Sequence, residues 1–227
     1  MSRLQILWKE WILPVGIILL LTCSFRSAVA DWNDVPTGSM KPTILEGDRI
    51  FVNKLAYDMK IPFTTHRLMT WDHPERGDIV VCFSPADGIR LVKRVIGLPG
   101  DRIAMSGNRM LINGETISYE PIREEVAEQI RNYIPLEADY AEENLEGRQH
   151  SIMLLRGRAF PSGFSSVTVP ESQYFVMGDN RRNSKDSRVF GFVDRGEILG
   201  EATTVVLSLD YKKYFKPRWN RFFLKLR

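Results

Sequence analysis

Cysteine and histidine are scarce in this chain. Its 227 residues include two cysteines and three histidines, with no CxxC, HExxH or GxSxG pattern. Cys23 lies in a hydrophobic run and Cys82 follows a strand-like segment, so we expect no disulfide framework and a Cys82 thiol packed in the core. His66, His73 and His150 lie in segments predicted to be loops. A zinc protease, a cysteine protease and a Ser-His-Asp hydrolase are therefore excluded, and we expect neither metal nor cofactor.

Excess charge of one sign is also lacking. The formal net charge is +3, and the lysines and arginines are spread along the chain. This balance does not predict nucleic-acid binding. Because 44% of the residues are apolar, the chain can bury the core of a moderate-sized domain. It contains no internal repeat or low-complexity tract.

One long hydrophobic run lies near the N-terminus. Trp11 to Phe25 carries no charge and approaches the ~20 residues that span a bilayer when flanking residues are added. The alternative is a cleavable signal peptide, because Ala28-Val29-Ala30 has the A-x-A form of a cleavage site. Arg26 and the flanking tryptophans favour an uncleaved anchor, predicted over residues 11–30.

Basic residues predict the orientation of this anchor. Arg3 and Lys9 precede it against a single Glu10, which favours a cytoplasmic N-terminus. Residues 1–10 are then cytoplasmic, and residues 31–227 form an extracytoplasmic domain at the cell membrane.

Short runs of β-branched and aromatic residues dominate the rest of the chain, so we predict a mainly β fold. Asn113-Gly114 between two such runs predicts a two-residue hairpin. Residues 120–148 are rich in Glu and lack Val/Ile alternation, which predicts a short helix and a polar surface loop. This stretch would belong to a smaller inserted β subdomain of about residues 105–170. The predicted strand runs are 49–55, 78–83, 91–96, 103–105, 110–112, 151–155, 166–169, 174–177 and 203–208.

Three separated blocks carry the candidate chemistry, and the first contains Ser39. Gly38 precedes this serine and Pro42 follows shortly after, which predicts a tight turn that exposes the hydroxyl and leaves backbone N–H groups free for a ligand. That arrangement suits a nucleophile with an adjacent oxyanion site.

The second block contains Lys93, within Leu91-Val92-Lys93-Arg94-Val95-Ile96. Strand alternation puts Lys93 on the same face as Leu91 and Val95. Apolar surroundings favour the neutral amine, which is a competent general base for a serine.

The third block runs from Gly178 to Arg188 and starts as a sharp turn. Ser184 could hydrogen-bond the lysine head, and Asp186 could pair with Arg188 to stiffen the loop. Arg181, Arg182 and Lys185 are predicted to form a solvated basic surface.

In order and separation, these blocks resemble those of the bacterial type I signal (leader) peptidases. The similar segments are PTGSMKPTILEGD, RGDIVV, KRVIGLPGD and GDNRRNSKDSRVFGFV, between residues 36 and 193. The resemblance implies a Ser/Lys-dyad protease with the family's β fold and smaller inserted β subdomain. The anchor is single, where some members have two.

The resemblance also implies residue roles. Ser39 would be the nucleophile and Lys93 the general base, with the Ser39 N–H and the Thr37 hydroxyl as oxyanion donors and Ser184 orienting Lys93. Many members have Ser in place of Thr37, and either hydroxyl can donate. The ion pairs Arg94–Asp179 and Asp186–Arg188 would support the site.

The implied substrates are exported preproteins, cleaved after small residues and bound as an extended strand. We expect a monomer in contact with membrane lipid. Two alternatives are a specialised peptidase of the conjugative pilin-processing type and a non-catalytic membrane-tethered protein of the same fold.

Two further segments are candidates for lipid contact. Residues 61–71 place apolar side chains in predicted loops, and core packing explains them equally well. The C-terminal residues 211–227 interleave basic and aromatic side chains, which suits anionic headgroups or an ordinary solvated tail.

Overall fold

The computed structural model describes residues 7–64, 66–122, 124–134, 137–157 and 163–226. It begins with a π-helical turn, Trp8–Ile12, that continues into helix α1, Leu13–Ala28. Together these 21 residues are long and apolar enough to cross a membrane, and only 6% of the most apolar window is buried against the protein. Because it is so exposed, this segment is not the core helix of a globular domain.

The remaining structure is mainly β, as predicted from the sequence. The described residues contain two further α-helices, α2, Glu124–Tyr133, and α3, Ser187–Phe190. Short 3₁₀ helices lie at Arg195–Glu197, Tyr211–Lys213 and Trp219–Arg221. The strands in chain order are β1 Ala30–Asp34, β2 Asp48–Asn53, β3 Asp58–Lys60, β4 Arg67–Thr70, β5 Ile79–Phe83, β6 Arg90–Gly97, β7 Arg102–Ser106, β8 Arg109–Ile112, β9 Glu115–Thr116, β10 Ser118–Pro121, β11 Ala138–Leu145, β12 Arg148–Leu155, β13 Phe164–Thr168, β14 Gln173–Met177, β15 Val193–Asp194, β16 Ile198–Asp210, β17 Lys216–Pro217 and β18 Leu224–Lys225.

The main sheet has the order β1-β2-β16-β5-β6-β14-β15, and the short strands β17 and β18 also pair with β16. Apolar residues pack on both of its faces. One cluster contains Met40, Val81 and Val205, and the other contains Val80, Cys82 and Val95. Cys82 is fully buried, as predicted.

Two smaller sheets are formed by the described strands between residues 102 and 168. One has the order β13-β7-β8-β9 and the other β10-β11-β12. The predicted hairpin is present, because β8 pairs with β9 across Asn113 and Gly114, whose φ angles of 53° and 89° suit a two-residue turn. Whether residues 105–170 form a separate subdomain stays a prediction.

The prediction of a polar loop within residues 120–148 is wrong. Helix α2 is present, but β11 then runs antiparallel to β12, so polar sequence here forms sheet. Glu143 and His150 lie on these strands, paired with each other in register and both buried. The expectation that His150 lies in a loop is therefore also wrong.

A buried ion pair explains why charged residues occupy these strands. The Arg181 guanidinium donates to both carboxylate oxygens of Glu143, 2.7 Å from Oε1, and both side chains are fully enclosed. Arg181 was expected to be solvated, and that prediction is wrong. Met153 on β12 also exchanges backbone hydrogen bonds with Asp179 and Arg181, so the β11–β12 hairpin is fixed to the third block.

We expect Glu143→Gln to lower the free energy of unfolding by about 3–5 kcal/mol, because it leaves the buried Arg181 charge without a full counter-charge. Urea denaturation of the full chain in detergent measures this change. The matched control, Glu142→Gln on the same strand, should change stability by no more than about 0.5 kcal/mol. Equal stability of the two variants would contradict a structural role for the pair.

Candidate active site

Ser39 lies in a turn that follows β1, where its neighbours are anchored in the core. Met40 is fully buried in the cluster that covers one face of the main sheet, and Ile44 N donates to Met40 O at 2.9 Å. Ser39 itself is half-buried. The buried Met40 therefore fixes the turn on the core and leaves the neighbouring Ser39 hydroxyl partly accessible.

The third block holds the backbone of this turn through Asn180. Its Nδ2 donates to Gly38 O at 2.9 Å, and its backbone N donates to Ser39 O at 3.0 Å. With both carbonyls held from one side, the Ser39 N–H has no acceptor in the part of the chain that the structure describes. Sequence reasoning treated Asn180 only as a turn residue and missed this role.

Gly178 allows the two segments to approach so closely. A Cβ built on Gly178 would lie well inside contact distance of Ser39 O and of the Ser184 side chain. Its backbone N donates to Asp186 Oδ2 at 3.0 Å. The turn in the third block thus depends on the absence of a side chain at Gly178.

Lys93 meets Ser39 from strand β6. Lys93 Nζ lies 2.8 Å from Ser39 Oγ and donates to Val92 O at 3.0 Å. Lys93 is only 2% exposed and lies opposite Val80 in the β5–β6 register. Leu91 and Val95 pack in the same cluster as Val80, as strand alternation predicts.

Burial lowers the pKa of Lys93, because the ammonium loses its hydration there. The nearby carboxylates Asp186 and Asp179 oppose this shift. The adjacent Cys82 is no counter-ion at neutral pH, because burial raises the pKa of its thiol to about 12. The surroundings therefore favour a neutral amine next to the serine hydroxyl.

Both nearby carboxylates are held in bidentate ion pairs. Arg94 Nε and an Arg94 Nη atom donate to Asp179 at 2.9 and 2.8 Å. Arg188 makes the same paired contact with Asp186 at 2.8 and 2.7 Å. The structure thus brings together all four residues expected to form ion pairs. Both carboxylates are neutralised mainly by arginine, and this limits how far they raise the pKa of Lys93.

The hydroxyl groups of Ser184 and Thr37 form fewer hydrogen bonds than the charged groups of the site. The Ser184 hydroxyl is buried and has no hydrogen-bond partner among the described residues, so it makes no hydrogen bond to Lys93 in this structure. Thr37 is exposed, and within the described ranges its hydroxyl also makes no hydrogen bond. Each side chain therefore retains a donor for a ligand or a rearranged neighbour.

The C-terminal segment stabilises the chain between Ser39 and β2. The Thr43 hydroxyl donates to Asp179 Oδ2 at 2.5 Å, and Arg221 donates to Thr43 O at 2.9 Å. Arg221 also pairs with buried Asp48 at 2.6 Å. The prediction of an ordinary solvated tail is therefore wrong at Arg221, although the aromatic side chains of Tyr214 and Trp219 are exposed. No local sequence pattern identifies a pair 173 positions apart.

Comparison with known proteins identifies the family of this chain. A family model described as signal peptidase, peptidase S26, matches residues 8–207. The signal peptidase I of Buchnera aphidicola subsp. Schizaphis graminum is 33% identical over 222 residues, which cover 83% of this chain and 71% of that protein. The signal peptidase I of Pseudomonas fluorescens is 36% identical over 208 residues, covering 84% and 69%.

A solved signal peptidase I from Enterococcus faecalis V583 is 34% identical, covers 59% of this chain and 100% of its own, and superposes with a TM-score of 0.37. The family model matches well over half of the chain. By that match and by the relatives' identity and coverage, this chain belongs to the signal peptidase family, peptidase S26.

Proposed function

We propose that this member of the family is a serine endopeptidase that removes signal peptides from exported preproteins, with Ser39 as nucleophile and Lys93 as general base. The 2.8 Å contact between Ser39 Oγ and Lys93 Nζ carries the assignment of these two residues. The burial that lowers the pKa of Lys93 supplies the neutral amine that a base requires.

The reaction follows from this pair. Neutral Lys93 accepts the Ser39 proton as Oγ attacks the scissile carbonyl, and the resulting ammonium then protonates the leaving amine. An acyl ester on Ser39 remains. Lys93, neutral again, takes a proton from water, which attacks the ester and releases the new carboxyl end. The Lys93 ammonium then returns this proton to Ser39 Oγ as the ester bond breaks. Over one cycle the original Ser39 proton ends on the leaving amine, and both residues regain their starting protonation states.

Two donors are available for the oxyanion. The Ser39 N–H and the Thr37 hydroxyl both lack acceptors among the described residues and lie on the turn that carries the nucleophile. Donors that are free before reaction can stabilise charge that develops on the substrate oxygen. We assign both to this role.

We also retain Ser184 as the residue that orients Lys93. Its hydroxyl is buried and unpartnered in the described structure, so satisfying it by the amine would remove an energetic cost. The Val92 carbonyl already accepts one N–H of Lys93 and acts with it. The two ion pairs, Arg94–Asp179 and Asp186–Arg188, hold the surrounding loops.

The free edge of β6 suits an extended substrate. β14 pairs with β6 only at residues 94–97, so Leu91 to Lys93 have a strand partner on the β5 side alone within the described chain. A preprotein segment with small residues before the cut could add a strand at this edge and place its carbonyl at Ser39. We expect the enzyme to act as a monomer.

We propose that α1 is an uncleaved anchor with the N-terminus in the cytoplasm and the β domain on the extracytoplasmic side. Its low burial and the basic residues before it support this arrangement. The active site then lies on the side where preproteins emerge.

We expect Ser39→Ala and Lys93→Met each to abolish processing of a preprotein, because one removes the nucleophile and the other the base. Cleavage by purified protein in detergent measures this loss, and a serine-reactive penem should label the parent but not Ser39→Ala. Unfolding curves serve as the control for folding. Full activity in either variant would overturn the assignment.

Thr37→Val should lower kcat by about 10²–10³, the usual effect of removing one oxyanion donor. Thr37→Ser keeps a hydroxyl and should retain most of the activity. Steady-state kinetics on a peptide substrate distinguish the two variants. A Thr37→Val enzyme as active as Thr37→Ser would exclude the hydroxyl from the oxyanion site.

Gly178→Ala should lower kcat by about 10²-fold, because the new Cβ displaces the Ser39 carbonyl and the Ser184 side chain. The matched control is Gly196→Ala, where the nearest atom to the added Cβ is 3.9 Å away. The same kinetic assay compares both. Unchanged kcat in Gly178→Ala would show that this close approach is unnecessary for catalysis.

A further inference from the structure

The β3–β4 hairpin has its polar side chains inside and its apolar side chains outside. Asp58 and Lys60 are 1% and 8% exposed, whereas the cross-strand pair Met59 and Met69 is 38% and 61% exposed. A hairpin packed against a core in water has the opposite arrangement. Four more apolar side chains of this region are exposed by 40–63%, namely Ile61, Phe63, Leu68 and Trp71.

This hairpin is joined to the end of α1. Phe63 N donates to Ser27 Oγ at 2.7 Å, and Lys54 Nζ donates to the carbonyls of Arg26 and Ser27 at 2.8 and 3.1 Å. The inference that follows rests on the proposed anchor role of α1. If α1 spans the membrane, the hairpin lies where the helix leaves it.

A cavity of about 770 Å³ lies between the helix end, the hairpin and the main sheet. Among the described residues, four lysine and arginine side chains line it, Lys54, Lys60, Arg67 and Arg90, against one carboxylate, Glu197. We call this space the cationic cavity. Its volume is in the range of sites that hold small molecules.

Too few carboxylates lie around these cations to neutralise them. Asp58 is shared by three cations, at 2.7 Å from Lys60, 2.9 Å from Arg67 and 2.7 Å from Arg195. Burial lowers the pKa of Lys60, the ion pair with Asp58 opposes this shift, and Arg67 and Arg195 add to it.

Asp31 is shared in the same way, at 2.7 Å from Arg26, 3.8 Å from Lys54 and 4.0 Å from Arg90. Burial lowers the pKa of Lys54, and the neighbouring cations lower it further against the opposing effect of Asp31. An anion placed among these side chains would relieve their mutual repulsion.

We propose that the cationic cavity binds the phosphate of an anionic phospholipid headgroup, while the exposed face of the β3–β4 hairpin contacts the acyl chains. Ammonium and guanidinium groups are the side chains that bind phosphate. The apolar face next to the cavity favours a lipid over a soluble phosphate, which would leave that face exposed. Binding there holds the catalytic domain against the bilayer.

The test uses the full chain, stripped of lipid in a neutral detergent and titrated with dihexanoylphosphatidylglycerol by calorimetry. Dihexanoylphosphatidylcholine has the same chains without net charge, and glycerol phosphate has the charge without chains. We expect each control ligand to bind at least about fivefold more weakly than the anionic lipid, the equivalent of about 1 kcal/mol. Equal binding of the two lipids, or of glycerol phosphate, would overturn the proposal.

Variants locate the site. Lys54→Gln and Lys60→Gln each remove a charge but keep a hydrogen-bond donor, and each should weaken binding of the anionic lipid about fivefold. Arg109→Gln, at an exposed position of β8, is the matched control and should leave the affinity unchanged. Unchanged affinity in both lysine variants, or a larger loss in Lys212→Gln on the C-terminal tail, would contradict the assignment.

Peptide cleavage in lipid-free detergent separates this proposal from the catalytic one. Neither Lys54 nor Lys60 is part of the catalytic site, so both variants should keep the parent's kcat there while losing lipid affinity. Loss of that activity together with a lowered unfolding midpoint would show a folding defect and overturn the proposed local effect.

Discussion

The 2.8 Å contact between Lys93 Nζ and Ser39 Oγ can serve proton transfer only if water is kept away from the Lys93 amine. In water an ammonium is far more stable than the amine, and it could not accept the serine proton. Strand β6 provides apolar surroundings for the amine. The face of the strand that carries Lys93 also carries Leu91 and Val95, and Lys93 lies opposite Val80 on β5. In the proposed mechanism, the capacity of Lys93 to act as a base is thus a direct consequence of how one strand is buried.

Burial alone would not keep Lys93 neutral, because carboxylates lie near the same amine. Asp179 and Asp186 would each favour the charged form, but both are engaged by arginine in bidentate pairs. Arg94 follows Lys93 directly on β6 and therefore points to the opposite face of the strand. One strand consequently carries the proposed base and, through Arg94, neutralises one of the two carboxylates that favour its protonated form.

The serine is positioned by contacts between distant segments. Asn180 holds the carbonyls of Gly38 and Ser39, and Thr43 joins the same turn to Asp179. Arg221 of the C-terminal segment binds Thr43 O and Asp48. Glu143 of β11 holds Arg181 on the other side. The third block is therefore the junction at which the main sheet, the smaller sheets and the C-terminal segment meet.

Much of this could be predicted from the sequence, and the exceptions have a common cause. Apolar strands such as β5 and β6 and the Asn113-Gly114 turn were recognised because their signals are local. Glu143, His150 and Arg181 were misassigned because each looks solvated until its partner is known, and Arg181 lies 38 positions from Glu143. The bond from Arg221 to Asp48 spans 173 positions and was missed for the same reason. Whether a charged residue is buried depends on its partner residue, and the periodicity of apolar residues along one segment does not detect such pairs.

The central claim is that Lys93 is neutral when Ser39 attacks. Titration of the chain carrying ε-¹³C-labelled lysine, with the Lys93 resonance assigned by its loss in Lys93→Met, measures its pKa directly by NMR. The account predicts a pKa well below the ordinary lysine value of 10.5 and an activity that rises with pH through that same pKa. A Lys93 that titrates at the ordinary value, or activity that is flat through its titration, would contradict it.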